Sequence, residues 1–304
     1  MSDRLDVHFP SGDVKCSAWL YLPDGGPAPV IVMAHGLGAV RGMRLDAYAQ
    51  RFRDAGYACL VFDYRHFGDS DGQPRQLLDI GRQLDDWAAA IAYARTLECV
   101  DTNRIVLWGT SFGGGHVLVA AARDRDIAAV ISQCPFTDGP ASVLAMTPWN
   151  SLKVTARALR DAIGARFGKD PVMIATAGRP GSTALMASPD AEPGFLALVP
   201  EDAPFRNEVA ARVALGVTFH VPGRKAAKVR CPILFGVCET DSVAPARATL
   251  RHARRAPHGE IKLYPEGHFD IYVGNAFERV VADQLRFLST HVPVAPTDST
   301  EHAA

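Results

Sequence analysis

Long apolar runs, one-sided charge and patterned cysteines are all missing from this sequence, and each absence removes a class of protein. No run approaches the roughly 20 consecutive apolar residues that a membrane-crossing helix requires, so no membrane partner is expected. Lys and Arg number 32 against 33 Asp and Glu, and a formal net charge of -1 supplies no field for gathering polyanions, which argues against nucleic acid. The six cysteines (Cys16, Cys59, Cys99, Cys134, Cys231 and Cys238) lack Cys-x-x-Cys spacing, and several fall in apolar strand-like runs; they read as reduced core residues. Cys238 stands near a candidate site residue, Asp241, and there too packing is the favoured reading. With no His-Glu-x-x-His and no clustered Cys and His, neither a metal nor a cofactor is expected. The opening residues, Met1 to Asp6, are acidic and lack the apolar centre of a signal peptide, so the expected location is cytoplasmic.

What is present is an ordinary globular composition, 48% hydrophobic and 21% charged, sufficient for a large core without disulfides. Residues 4–23 alternate around a Ser11-Gly12-Asp13 turn and predict an antiparallel hairpin at a sheet edge. Residues 29–34 form a continuous apolar run, the mark of a strand covered on both faces, and an amphipathic segment follows at 45–55. The rhythm repeats, with strands predicted at 58–62, 104–108 and 127–132 and helices at 77–97 and 114–122. It breaks between about 136 and 228 into helix-like pieces, 154–167 and 206–214, separated by Pro and Gly clusters such as Gly178-Arg179-Pro180-Gly181. Strand and helix then alternate again at 233–237, 247–255, 261–264 and 276–288. The expected fold is α/β: a mostly parallel, doubly wound sheet with an N-terminal hairpin. Its core would be residues 1–136 and 229–290, with a mainly helical inserted lid at 137–228 and a disordered tail at 291–304. Trp149, Phe167, Phe195, Leu196 and Phe205 would serve that lid either as pocket walls or as its own small core.

Gly109-Thr110-Ser111-Phe112-Gly113 fits Gly-x-Ser-x-Gly and stands directly after an apolar strand and before a helix, where a nucleophilic serine would be exposed on a tight turn. A Gly-rich turn with a capping serine is the bland alternative. A serine hydroxyl needs a base, and imidazole has the right basicity. His268 lies between the last predicted strand and the last long helix, the best position among the ten histidines. Asp241, after the 233–237 strand, is placed to orient that imidazole; Glu239 and Asp138 are rival acids, and Asp270 is too near His268 in sequence to be preferred. His35-Gly36-Leu37-Gly38 follows the 29–34 strand, where the Leu37 N–H, with that of Phe112, can face an oxyanion. The same glycines, through Gly42, also fit a dinucleotide turn, with Asp63 as its ribose acid, but that reading leaves the hairpin and the Ser111 turn unexplained.

The ordered set of His35-Gly36, then Asp63-Tyr64-Arg65-His66-Phe67-Gly68-Asp69-Ser70, then Ser111, Asp241 and His268 resembles the α/β-hydrolase superfamily, particularly its dienelactone-hydrolase-like and acyl-peptidase-like esterases. The resemblance covers residues 1 to about 136 and 229–290. It implies a nucleophile, acid, histidine order, which this chain keeps, and makes Asp69 and Ser70 scaffold. A serine in place of the cysteine of true dienelactone hydrolases or the aspartate of haloalkane dehalogenases argues against those two activities. The expected function is hydrolysis of a small-molecule carboxylic ester through an acyl-enzyme. The same residues would also serve a thioesterase, a peptidase or an acyltransferase, and the fold alone would serve a non-catalytic ligand-binding protein.

Overall fold

Alternating residues near the start of the chain form β1 (Leu5–Ser11) and β2 (Val14–Tyr21), antiparallel, with Ser11 opposite Val14 across the Gly12-Asp13 turn. The computed structural model describes residues 4–201 and 205–294. β3 (Ala28–Ala34) is buried at every residue, as is β4 (Ala58–Phe62), with α1 (Leu45–Asp54) between them. Such uninterrupted apolar strands are what a sheet covered on both faces demands. The units α2 (Ile80–Ala94), β5 (Val100–Thr110), α3 (Phe112–Arg123) and β6 (Ile127–Gln133) continue the winding.

After β6 the chain leaves the sheet. It forms α4 (Gly139–Ala145), α5 (Pro148–Arg166), β7 (Met173–Ala177), β8 (Ala184–Met186), α6 (Ala191–Leu196), β9 (Glu208–Ala210) and α7 (Val213–Phe219), followed by a 3-10 segment, Pro222–Lys228. It returns as β10 (Ile233–Cys238), α8 (Ala246–Ala253), β11 (Gly259–Tyr264) and α9 (Gly274–His291). The main sheet has eight strands in the order β1-β2-β4-β3-β5-β6-β10-β11. The pairings of β2 with β1 and β4 are antiparallel and the others parallel, so β6 and β10 are neighbours although about a hundred residues separate them.

Two expectations about boundaries are corrected. The inserted segment also contains a three-stranded sheet, β8-β7-β9, and the stretch expected as helix at 206–214 is β9 followed by the start of α7. Strands of three residues are too short to print an alternating pattern in the sequence; β9 is fixed by pairing with β7 and by the Ala210 N–H donating to the Gln76 carbonyl. The expected tail begins too early. α9 runs through His291, Val292 is buried, its carbonyl accepts from the Tyr57 hydroxyl, and the Pro293 carbonyl accepts from Arg104. The remainder of that tail, from residue 295, lies outside the described residues.

Apolar side chains pack against both faces of the sheet. Phe62, Trp87, Leu107 and Val117 belong to one layer, and Tyr48, Phe52, Trp108 and Phe277 to the other. Because the central strands are parallel, the ends of β3, β5, β10 and β11 point the same way, and the loops beyond them hold His35, Ser111, Asp241 and His268. Ligands of open α/β sheets bind at that edge. Among the described residues no helix is long and apolar enough to cross a membrane.

Candidate active site

Ser111 occupies the turn between β5 and α3 with φ 55° and ψ -119°, a backbone conformation that side-chain-bearing residues rarely adopt. The turn is tight enough to exclude neighbours with a Cβ: one on Gly109 would collide with the Gly113 carbonyl oxygen, and one on Gly113 would lie 2.5 Å from the His35 carbonyl oxygen. Backbone bonds hold the turn in place, with Ser111 N–H donating to the Gln133 carbonyl and Phe136 N–H donating to the Ser111 carbonyl.

The loop after β11 brings His268 over this serine. Its Nε2 lies 3.0 Å from Ser111 Oγ and its Nδ1 2.7 Å from Asp241 Oδ2. A carboxylate only accepts, so Nδ1 carries the proton and Nε2 is left to accept from the hydroxyl. The other Asp241 oxygen, Oδ1, accepts from the backbone N–H groups of Val243 and Ala244 at 2.8 and 2.6 Å, which fixes the carboxylate. Both side chains of the His268–Asp241 pair are 2% exposed, so little water competes for the interaction.

The rival acids go elsewhere. Asp138 caps α4, accepting from Ala141 N–H, and is bound by Arg251 and by His252 Nε2 at 3.0 Å. Glu239 is exposed, with its backbone N–H bonded to Tyr264, and Asp270 accepts from the Gly267 N–H. Asp63, the acid of the dinucleotide reading, is occupied by Arg41, whose Nη1 and backbone N–H both donate to it; Arg41 also reaches Asp69. Ser70 bonds to Ser17 N–H and to the Asp63 carbonyl. The glycines at 36–42 do not open a helix, since α1 begins only at Leu45. Cys238 is buried and burial pushes its thiol well up, so it offers no thiolate.

Phe112 and Leu37 line the same cavity as Ser111, and their backbone N–H groups are the candidates for holding an oxyanion. Phe112 is the first residue of α3 and so has no intrahelical acceptor for its N–H. Across from it, Gly36 sits so close that a Cβ there would be 3.1 Å from Ser111 Oγ and 3.3 Å from Phe112 N. The Gly36 N–H is already used, donating to His35 Nδ1 at 2.7 Å, while His35 Nε2–H donates to the Met43 carbonyl at 2.9 Å. The next N–H, that of Leu37, has no acceptor among the described residues. His35 is buried, which drives it down to about 4 and keeps it neutral, as this double role requires. It stacks on Tyr272, with ring centroids 5.8 Å apart, and the Tyr272 hydroxyl is hydrogen bonded to Thr110, the residue before Ser111. Sequence reasoning missed the supporting part of Tyr272, because nothing in its spacing marks the end of the short 3-10 turn Asp270–Tyr272 as a neighbour of two distant loops.

Ser111, Phe112 and Leu37 open into a cavity of about 470 Å³ whose far walls come from the inserted segment: Val143 and Met146 near α4, Val154 on α5, Leu185 and Met186 on β8, and Val217 on α7. None of the five apolar residues named from the sequence lines it, although Phe195 lines a smaller cleft beside it together with Leu37, Ser111, Met186 and His268. Trp149 and Phe167 face outward, while Phe195 packs against Phe205 and Phe269. The inserted segment is fastened beside Asp241, since Ser242 donates to Asp190 and shares a hydrogen bond with Ser188. Among the described residues no three His, Cys, Asp or Glu side chains are grouped to hold a metal ion.

The sheet order and the parallel edge carrying this site are those of an α/β hydrolase. Residues 25–273 match the family model described as serine aminopeptidase, S33, and the chain belongs to that hydrolase family. It is 61% identical over 291 residues to the quorum-quenching protein AidA of Acinetobacter baumannii, covering 95% of this chain and 96% of that one. It is 29% identical to the thiohydrolase aneE of Aspergillus aculeatus, covering 93% and 92%. The solved structure of DcsB in complex with its substrate analogue is similar, with a TM-score of 0.81 at 26% identity, covering 95% of this chain and 99% of that one.

Proposed function

We propose that this protein is a serine esterase that hydrolyses a small-molecule carboxylic ester with an apolar acyl group through a covalent acyl-enzyme. The observation that carries the reading is the continuous hydrogen-bonded chain from Ser111 Oγ to His268 to Asp241, at 3.0 and 2.7 Å. In the first half of the reaction His268 Nε2 takes the hydroxyl proton as Ser111 Oγ bonds to the ester carbonyl carbon. The carbonyl oxygen becomes an oxyanion held by the Leu37 and Phe112 N–H groups, and Asp241 balances the imidazolium. Collapse expels the alcohol, which takes the proton from His268. In the second half water attacks the acyl-enzyme with the same base, the acid leaves, and Ser111 regains its proton. No cofactor enters this scheme.

Residues 137–228 act as the lid over the 1–136 and 229–290 core, and the apolar walls they supply fit an acyl chain better than a charged one. Quorum quenching, the activity in the name of the Acinetobacter relative, is one that destruction of a small diffusible ester would serve. The name of the Aspergillus relative supports a second reading, a thioester as substrate on the same residues. Turnover of p-nitrophenyl esters with product analysis tests the proposal. The expected products are p-nitrophenol and free acid, with transesters when an alcohol is added; p-nitrophenol release no faster than that of Ser111→Ala would contradict it.

A further inference from the structure

The outward face of α5 carries an apolar stripe. Trp149, Leu152, Ala156, Leu159 and Ile163 are exposed, Trp149 by 67% and Ile163 by 57%, and Phe167 continues the patch at the helix end. Their spacing of three, four, three and four residues is the 3.5-residue repeat of a helix seam made for another helix. The face that packs on the protein is a different one, with Asn150, Val154, Ala158 and Asp161 buried. The stripe leaves on the order of 700 Å² of side chain uncovered per copy, beyond the largest apolar patch usual on a monomer and close to what each partner of a standard stable interface contributes.

We propose that this face is the interface with a second copy of the chain, formed by α5 packing antiparallel on α5. An isologous contact needs a patch complementary to itself, and the sequence of the stripe supplies one. In one antiparallel register the small Ala156 meets Leu159 of the second copy, Leu152 meets Ile163, and Arg166 lies over the indole of Trp149, a cation over an aromatic face. The opposing feature is charge. Exposed Arg160 and half-buried Lys153, whose Nζ donates to the Gly181 carbonyl, flank the seam on one side and bring like charges toward the second copy, a weak repulsion that salt screens. Association therefore strengthens as salt is added. An anionic lipid surface, the other natural taker of an apolar face bordered by cations, would be released by salt instead.

Sedimentation of the full-length protein over a range of concentrations tests this independently of catalysis. The expected result is a species of twice the chain mass that tightens with salt, and at least a tenfold weaker association in Leu152→Glu and in Ile163→Glu with unchanged circular dichroism. Arg160→Glu, which sets an acid against Lys153 of the second copy, is expected to tighten the dimer and reverse its salt dependence. A parent protein that stays monomeric would overturn the proposal, as would dimers indifferent to all three substitutions. Binding of a monomeric parent to phosphatidylcholine vesicles only when they contain phosphatidylglycerol would assign the face to a membrane.

Discussion

Gly36 has no side chain because Ser111 stands where one would go: a Cβ on Gly36 would lie 2.7 Å from the Ser111 Cβ. This contact sets the gap between the β3 loop and the start of α3, the space in which the proposed mechanism places the oxyanion and its Leu37 and Phe112 donors. Gly36→Ala must widen that gap and pull one donor away. The expected outcome is a fall in kcat of roughly 100-fold or more, the usual consequence of losing one oxyanion donor, with a cooperative melt retained. Steady-state kinetics alongside a thermal melt checks it; a variant with native kcat would remove these two groups from the mechanism.

Asp241 and Asp138 each hold a histidine, and only one of those histidines reaches Ser111. Asp241→Asn keeps the shape but disturbs the tautomer of His268, so turnover is expected to fall by about 10⁴-fold. Asp138→Asn weakens the α4 cap and the contacts to His252 and Arg251, so its cost is expected in stability, with kcat largely kept. The reverse ranking in rate assays would reassign the acid.

The cavity predicts a chain-length profile. Each methylene buried against Val143, Met146, Val154 and Leu185 contributes about 0.8 kcal/mol, roughly fourfold in kcat/KM, until the far wall is met. A series of p-nitrophenyl esters is expected to rise from acetate and then fall, and Val154→Phe is expected to move the maximum to a shorter chain. Activity confined to acetate would contradict an apolar acyl pocket.

Stability carries its own pH signature. Burial drives His35 and His220 down to about 4 and His116 well below its usual 6.5. The unfolded chain takes up protons at these residues near pH 6.5 while the folded chain does not, so their contribution is complete above pH 6.5 and is lost as the pH falls toward 4. For fully buried His35 the loss approaches about 3 kcal/mol at pH 4, because each tenfold difference in proton affinity between the folded and unfolded chain is worth about 1.4 kcal/mol. Urea midpoints are expected to drop steadily between pH 7 and pH 4.5; a flat profile would contradict this account of the buried histidines.

The parallel core was legible because its strands are uninterrupted apolar runs, and the Ser111 turn because Gly109 and Gly113 have no substitute where backbones come this close. Asp241 was harder to single out. Its rivals, Glu239 and Asp138, stand at similar places in the sequence, and only the loop path that sends Glu239 outward and Asp138 to His252 separates them. Little of the wall around the site was legible, Phe195 beside Ser111 and His268 being the exception. Large aromatic residues drew attention, yet Trp149 and Phe167 face outward, while the lining comes from Val, Met and Leu on elements as short as three residues.

Covalent capture of the nucleophile decides whether Ser111 is the reactive residue. A fluorophosphonate bonds to a serine only when a neighbouring base has activated it, so the parent protein is expected to be labelled once, at Ser111, slowly or not at all in His268→Ala, and never in Ser111→Ala. Labelling of Ser111→Ala at the parent rate would show that the reactive serine lies elsewhere.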